Sequence, residues 1–473
     1  MSVTVAAVDL GATSGRVMLG RVGADELRLE SVARFPNNPV ETIDGLHWNI
    51  LELYRSIVEG LRAAGASGPI ASIGIDSWAV DYALLRGGRM LGTPYHYRDA
   101  RTDSVVDAVH RVTPFSELYA ENGLQFLSFN TLYQYAADRA AGVLHLADES
   151  LLIPDLIAYW LTGERVAEAT NASTTGLLRL DGGSWNTELA ERLGIPTSIL
   201  PPLVRPGERI GTLRDAVSDA TGLAASTPVV AVGSHDTASA VVAVPMTDPD
   251  AAYISCGTWG LVGVELDAPV TTDASRAANF TNEGGVDGRV RFLHNVMGLW
   301  LLSESVRTWE RESGEAIDLP DLLAQAAAVT TPQPVFDAND AVFTAPGDMP
   351  ARIARWLREH GMPVPESRAG MTRCIMESLA DAFADAVHTA SELSGTRVSV
   401  IHLVGGGSLN ELLCRLTAQR AELPVLAGPV EATALGNVLV QARALGELSG
   451  SLEDLRGLVA RTTTPVRYEP TLR

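Results

Sequence analysis

The chain has 473 residues, 46% of them hydrophobic and 20% charged, and a formal net charge of −21. That length exceeds what one hydrophobic core usually fills, so two domains are expected. An acidic chain repels polyanions, which excludes nucleic acid and anionic membrane as its main partners. The three cysteines, Cys256, Cys374 and Cys414, are far apart and lack Cys-x-x-Cys spacing. They read as free thiols of a reducing cytoplasm, not as a disulfide framework or metal site. Neither a signal-peptide pattern nor an apolar run long enough to span a bilayer is visible.

The first element is a hairpin over Val3 to Val22, with two β-rich runs around the small-residue turn Gly11-Ala12-Thr13-Ser14-Gly15. Backbone N–H groups and the Thr13 and Ser14 hydroxyls at such a tip can cradle a phosphate, with Arg16 adding charge. Asp9, just before the turn, suits a magnesium ion held through water. The turn is neither a Walker A loop nor a Gly-x-Gly-x-x-Gly fingerprint, so a plain surface hairpin fits it equally. An amphipathic helix is predicted over Leu51 to Ala64. A buried strand then carries Asp76, Trp78 and Asp81 at its far end. A ring beside carboxylates suits a polyol, and a core-filling tryptophan with a paired carboxylate is the other reading. Tyr97-Arg98-Asp99-Ala100-Arg101 is either ligand contact or an internal salt-bridge cluster. Residues Ser104 to Leu200 read as mostly helical.

At Val229 to Val244 an apolar strand stops at Gly233-Ser234-His235-Asp236-Thr237, and a helix of small residues follows. Open α/β sheets hold ligand-handling groups at this kind of junction. Either Asp236 or Ser234 simply caps the helix there, or Asp236 abstracts a proton from a bound hydroxyl. Ala251 to Leu266 repeats the hairpin pattern around Ser255, Gly257 and Thr258, and one such hairpin per half is what a duplicated nucleotide-binding fold requires. Asn295 reads as the N-cap of an apolar helix. Leu319 to Gly370 reads as a peripheral insertion, and Met371 to Ser394 as a long helix. A strand from Val398 then ends in Gly405-Gly406-Gly407, with Ser408 beginning a helix, an arrangement that lets backbone approach a flat or phosphorylated ligand. Pro424 to Leu445 supplies a last strand and a small-residue helix.

Several of these segments together resemble the FGGY carbohydrate kinases. They are Val8 to Arg16, Gly74-Ile75-Asp76-Ser77-Trp78-Ala79-Val80-Asp81, Tyr97 to Thr102, Ser234-His235-Asp236-Thr237-Ala238-Ser239-Ala240, Ser255-Cys256-Gly257-Thr258-Trp259, Thr281-Asn282-Glu283-Gly284-Gly285, Asn295 to Trp300, and Val404 to Asn410 with Gly428 to Ala432. Ser-His-Asp-Thr-Ala-Ser-Ala and Met-Gly-Leu-Trp are similar to the branch that acts on L-rhamnulose. The resemblance implies the α/β actin-like (ribonuclease H-like) duplicated fold, with domains 1–243 and 244–473 around a central cleft. It implies ATP-dependent phosphorylation of the sugar 1-hydroxyl with Mg2+. By the same likeness Asp236 is the general base. Ala12, Thr13, Ser14, Gly15, Arg16 and Thr258 hold the ATP phosphates, and Gly406 lies against the nucleoside. Ala79, His235, Asp236, Thr237 and Asn295 line the sugar pocket, and Asp9 serves the metal. Ala79 stands where that branch usually has Gly. Ser303 stands where a Gln near the nucleotide is expected. Another ketose or polyol kinase (fuculose, xylulose) and a non-catalytic actin-like ATP-binding module are the alternatives. A monomer or homodimer is expected, with sugar and ATP as its small-molecule partners.

Overall fold

The computed structural model describes residues 2–248 and 250–470 and divides into two compact units. The first comprises Met1–Thr247, Glu265–Phe292 and Ala432–Thr462; the second Asp248–Val264, Leu293–Glu431 and Thr463–Arg473. The units are therefore not two consecutive stretches of chain: a late helical segment returns to the first.

In the first unit, strands β1 (Val3–Leu10), β2 (Ser14–Gly23) and β3 (Glu26–Pro36) form an antiparallel run. Helix α1 (Ile50–Ala66) follows, with Leu53, Ile57, Leu61 and Ala64 buried at the i, i+4, i+8, i+11 spacing of one apolar stripe. Strand β4 (Ile73–Ser77) pairs parallel to β1 and sets Asp76 directly across from Asp9. Strand β5 (Arg209–Thr212) and the parallel β6 (Pro228–Val230) complete the order β5-β6-β4-β1-β2-β3. Apart from Asp9 and Asp76, strands β1, β4 and β6 consist of apolar and small residues, and all but Val3, Thr4 and Pro228 are buried, as a sheet covered on both faces demands.

Helix α2 (Asp236–Val242) is made of small residues because it packs backbone to backbone on the helix Ala432–Ala444. A Cβ at Gly436 would run into the Ser239 carbonyl. Residues between β4 and β5 are largely helical, as expected, around a small sheet of Tyr82–Arg86, Arg89–Met90 and Glu149–Leu152 and a separate apolar core.

The second unit repeats the plan. Strands β7 (Ala251–Cys256) and β8 (Gly260–Leu266) form the expected hairpin, and β9 (Val290–Val296) lies beside β8, the end of β8 from Glu265 and the start of β9 up to Phe292 counting with the first unit. After helices α3 (Trp300–Ser313) and α4 (Arg368–Ser394), β10 (Val400–Val404) pairs parallel to β7. Helix α5 (Glu411–Ala421), parallel strand β11 (Val425–Ala427) and antiparallel β12 (Val466–Tyr468) follow. With a seventh strand, Thr281–Gly284, beyond β9, the order β9-β8-β7-β10-β11-β12 matches β3-β2-β1-β4-β6-β5 of the first unit, and β7-β10 and β10-β11 run parallel as β1-β4 and β4-β6 do. The duplication expected from the two hairpins is present as topology.

Four expectations fail locally. Asn295 caps no helix: it lies within β9, and α3 begins only at Trp300. The β-branched and apolar run Val290–Val296 is a strand up to the turn that Gly298 makes at φ +62°. Ser408 does not begin a long helix. Residues Gly406–Leu409 form a short 3-10 turn, and Asn410 caps α5 by accepting from the Leu413 N–H at 3.1 Å. The segment Leu319 to Gly370 is not peripheral: Phe336, Phe343, Met349 and Leu357 are fully or almost fully buried. Its backbone is tied to α3 and α4, where Trp300 Nε1 donates to the Phe343 carbonyl and Ser378 Oγ accepts from the Phe336 N–H. Finally β11 is not the last strand, since β12 closes that edge.

Candidate active site

In the first unit three carboxylates gather where β1, β4 and β6 end. Asp9 and Asp76 are register partners, and the Ser77 N–H donates to the Ser234 carbonyl at 2.9 Å, joining the end of β4 to the segment that carries Asp236. Arg16, from the far side of the first hairpin, grips Asp9 Oδ2 with Nε at 2.8 Å and Nη2 at 2.7 Å. Asp76 is fully buried. Its Oδ2 accepts from Asn437 Nδ2 at 2.5 Å, while its Oδ1 has no protein partner. Burial, and then the charge of Asp9, push its carboxyl well above the usual range.

Asp236 is the first residue of α2, and the N-cap position belongs to His235, whose side chain makes no capping bond. The simple capping role is therefore not what Asp236 does. Its Oδ1 accepts from Thr237 Oγ1 at 3.0 Å and lies 3.5 Å from His235 Nε2. Its side chain keeps 30% exposure beside otherwise buried neighbours. Burial raises its pKa, the charge of Asp9 adds to this, and His235 and Thr237 work against it. Such a carboxylate is reachable, anchored through one oxygen and more basic than a free aspartate.

The loop that presents Asp236 is held from below by Glu168, a residue the sequence patterns did not single out. Its buried Oε2 accepts from the Ser234 N–H at 2.9 Å and Ser234 Oγ at 2.8 Å. Ser234 thus anchors the loop and does not cap the helix. Asn437, Glu283 and Arg291 are likewise unflagged residues that meet these groups. Only the Thr281 to Gly285 motif hinted at one of them.

The phosphate-type turn of the first unit is well braced. The Gly11 N–H donates to the Ser14 carbonyl, and Asn37 Nδ2 and N–H donate to the Gly11 and Thr13 carbonyls at 2.9 and 3.0 Å. Ala12 and Ser14 are half-buried, Thr13 is exposed and Gly15 is buried. Ala79 is half-buried just beyond β4.

Trp78 and Asp81 belong to the core, not to a sugar-facing surface. Asp81 Oδ2 accepts from Trp48 Nε1, Trp78 Nε1 and the Tyr97 N–H, and Oδ1 accepts from Gln134 Nε2. Every acceptor direction faces protein, and the rings of Trp48 and Trp78 lie 3.9 Å apart. Both residues lie in the turn beyond β4, where Val80 takes φ +68°, not in the strand itself. Arg101 likewise pairs with Asp138 and covers the Tyr95 ring, so the internal-cluster reading of that charged segment holds.

The second unit gathers its own small-residue turns. The Leu299 and Trp300 N–H groups donate to the Gly257 and Thr258 carbonyls at 3.0 and 3.1 Å. Gly298 has to be glycine: its φ is +62° and a Cβ would strike backbone at Thr258 to Gly260. Gly405 and Gly407 press on Cys256, whereas a Cβ at Gly406 would meet nothing within 4 Å. Thr258 and Gly406 thus sit on two turns that meet through Cys256, with Gly406 facing open space. Ser303 is half-buried in the first turn of α3, and Asn295 is half-buried on β9.

Residues 4–243 match the N-terminal domain, and residues 252–445 the C-terminal domain, of the FGGY family of carbohydrate kinases. This chain belongs to that family. It is a carbohydrate kinase, with ATP and a sugar as its substrates. It is 42% identical to a rhamnulokinase of Bacteroides thetaiotaomicron over 98% of this chain and 95% of that one. It is 43% identical to a rhamnulokinase of Pectobacterium carotovorum over 98% and 93%. A gluconate kinase structure from Lactobacillus acidophilus superposes with TM-score 0.80 at 19% identity, covering 100% of this chain and 94% of that one. Plasmodium falciparum glycerol kinase with ADP superposes at 0.77 and 14% identity, covering 99% and 94%. These two likenesses speak to fold, which is the two-domain α/β actin-like ATPase fold. Among the described residues no helix is long and apolar enough to cross a membrane.

Proposed function

We propose that this kinase transfers the γ-phosphoryl group of ATP to the 1-hydroxyl of L-rhamnulose, in the cytoplasm, as a step of L-rhamnose catabolism. The observation that carries the reading is identity of 42–43% with rhamnulokinases over 98% of the chain. In this reading the first unit, built on 1–243 and completed by the returning segments 265–292 and 432–462, binds sugar and supplies the first phosphate hairpin, and the second unit, from the rest of 244–473, binds nucleotide. Asp236 takes the hydroxyl proton as the bond to phosphorus forms. His235, Thr237, Ala79 and Asn295 orient the sugar. Ala12 to Arg16 and Thr258 donate to the phosphates, Gly406 gives the nucleoside a surface without side chains, and Ser303 lies near it.

Phosphoryl transfer has a loose transition state, so orientation and charge stabilisation account for most of the rate. A hard cation suits the donors present. Asp9 and Asp76 face each other on neighbouring strands, and Asp76 Oδ1 is buried without a protein partner. Among the described residues no three acidic, histidine or cysteine groups converge closely enough to enclose a metal, so Asp9 would hold Mg2+ through its water shell. Bound there, Mg2+ would offset phosphate charge. Arg16 holds the Asp9 carboxylate in one orientation, and the anchored Oδ1 of Asp236 leaves its other oxygen toward the acceptor hydroxyl.

The test is ADP release with L-rhamnulose, L-fuculose, L-xylulose, D-xylulose and no sugar. The highest kcat/KM is expected with L-rhamnulose. Equal rates on all ketoses, or a rate no higher than without sugar, would overturn the assignment.

A further inference from the structure

His235 lies between Asp236 and a fully buried arginine. Arg291, on β9, has no exposed side-chain surface, and its Nε donates to the Gly284 carbonyl at 3.0 Å. Its Nη2 lies 3.0 Å from His235 Nδ1 and 3.2 Å from Glu283 Oε2. Glu283 Oε2 is 3.3 Å from the same ring nitrogen. On the opposite edge of the ring, Nε2 is 3.5 Å from Asp236 Oδ1.

A guanidinium offers N–H groups only and keeps its charge in proteins. Of the two groups at Nδ1, the guanidinium is the closer, at 3.0 Å against 3.3 Å for Glu283 Oε2, and its hydrogen bond is made only if Nδ1 offers a lone pair. That puts the single proton of the neutral ring on Nε2, pointing at Asp236. The reverse tautomer would turn Nδ1–H toward Glu283 Oε2 at 3.3 Å, but it would also set that N–H against the closer guanidinium N–H and a bare Nε2 against the Asp236 carboxylate. Glu283 neutralises the arginine, which makes burial of a full charge tolerable at this depth.

We infer that Arg291, neutralised by Glu283, is a positioning residue that fixes the tautomer of His235, so that Nε2–H and the Thr237 hydroxyl both hold Oδ1 of Asp236 and leave Oδ2 to receive the sugar proton. This rests on the reading of Asp236 as general base. With the tautomer reversed, a ring lone pair would face the carboxylate, and nothing but Thr237 would hold Oδ1.

The experiment has two arms on the full-length protein. The first is two-bond 1H–15N correlation NMR on 15N-histidine-labelled protein, with His235 assigned by the signal lost in His235→Gln. The wild type is expected to show an unprotonated Nδ1 and a protonated Nε2, and Arg291→Met to lose that preference. The second arm compares His235→Gln, whose amide N–H stands near the position of Nε2, with His235→Asn, whose amide stands near Nδ1. The glutamine variant is expected to keep kcat about tenfold or more above the asparagine variant, with KM for ATP alike in both. A protonated Nδ1 in the wild type overturns the inference, as does an asparagine variant as fast as the glutamine one. The wild-type spectrum decides even if Arg291→Met does not fold. The tautomer is read without turnover, so an active Asp236→Asn would refute the base assignment and leave this result standing.

Discussion

Replacing Asp236 by asparagine separates two roles that carry opposite signatures. Were the carboxylate chiefly a helix cap, its loss would cost about 1 kcal/mol of stability and leave turnover alone. Instead His235 occupies the cap position, and asparagine can still accept from Thr237 Oγ1 through its carbonyl. What asparagine cannot do is take a proton. Loss of a positioned general base costs about a hundredfold to ten-thousandfold in kcat, equivalent to about 3–5 kcal/mol of barrier. Stability moves the other way. Burial and the charge of Asp9 raise the folded-state pKa of Asp236, so its ionised form weakens the fold at neutral pH. The variant should therefore melt at the same temperature as the wild type or higher at pH 7 to 8. The advantage should shrink as pH falls through the raised pKa and vanish below the ordinary carboxylate range. ADP release at saturating ATP and L-rhamnulose, paired with melting curves at several pH values, reads both quantities. Near-normal turnover, or a lowered melting temperature with kcat intact, would refute the reasoning.

Gly298→Ala should raise KM for ATP well above KM for sugar and lower stability by about 1–3 kcal/mol. A left-handed residue with a Cβ is strained, and this Cβ meets the backbone that carries Thr258; a wild-type KM for ATP in a folded variant would count against the role of that turn. Ala79→Gly removes one methyl from the proposed sugar pocket and should change KM for L-rhamnulose by no more than about two-hundredfold, with kcat held, since a methylene-sized change is worth about 1–3 kcal/mol at most. A changed kcat at constant KM would place Ala79 outside the ground-state contact surface. His96 supplies a pH effect on stability. Burial, and then the neighbouring Arg98, hold its pKa down at about 3, and it stacks on Trp48 at 4.0 Å. The unfolded chain takes up the proton first, so stability is whole above about pH 6.5 and declines as pH falls toward 3, by up to about 5 kcal/mol from this ring. Urea titrations followed by tryptophan fluorescence from pH 7 to 4 should show that slope flattened in His96→Gln, and an unchanged slope would assign acid sensitivity to other groups.

The features visible in sequence are the ones written in local pattern. Two β-rich runs around small residues can hardly be anything but hairpins, and both are present at Val3–Gly23 and Ala251–Leu266. The apolar run into Gly233 had to end a buried strand, and the small residues after it had to meet a close neighbour, which proved to be the helix around Gly436. Where the local signal was ambiguous, tertiary context chose. Trp78 and Asp81 have the composition of a polyol site, yet Trp48, Tyr97 and Gln134 arrive from elsewhere and occupy every acceptor direction of Asp81. Asn295 has the pattern of a cap because a helix follows, but the ladder of β9 extends past it.

The partners of the carboxylates were out of reach for a different reason. Asn437 is 361 residues from Asp76, and Glu168 is 66 from Ser234. No periodicity links such positions; only the return of Ala432–Thr462 to the first unit brings Asn437 to β4. The same return explains why a carboxylate as buried as Asp76 is tolerated. A strand end lined by Asp9 and Asp76 is electrostatically strained by itself, and the fold relieves it by importing a neutral amide for one oxygen while leaving the other oxygen bare. A second arginine in place of Asn437 would neutralise the cluster and, with it, its attraction for a cation. An amide satisfies geometry and adds no positive charge, which is the property the proposed cation-bound nucleotide would require of this cluster.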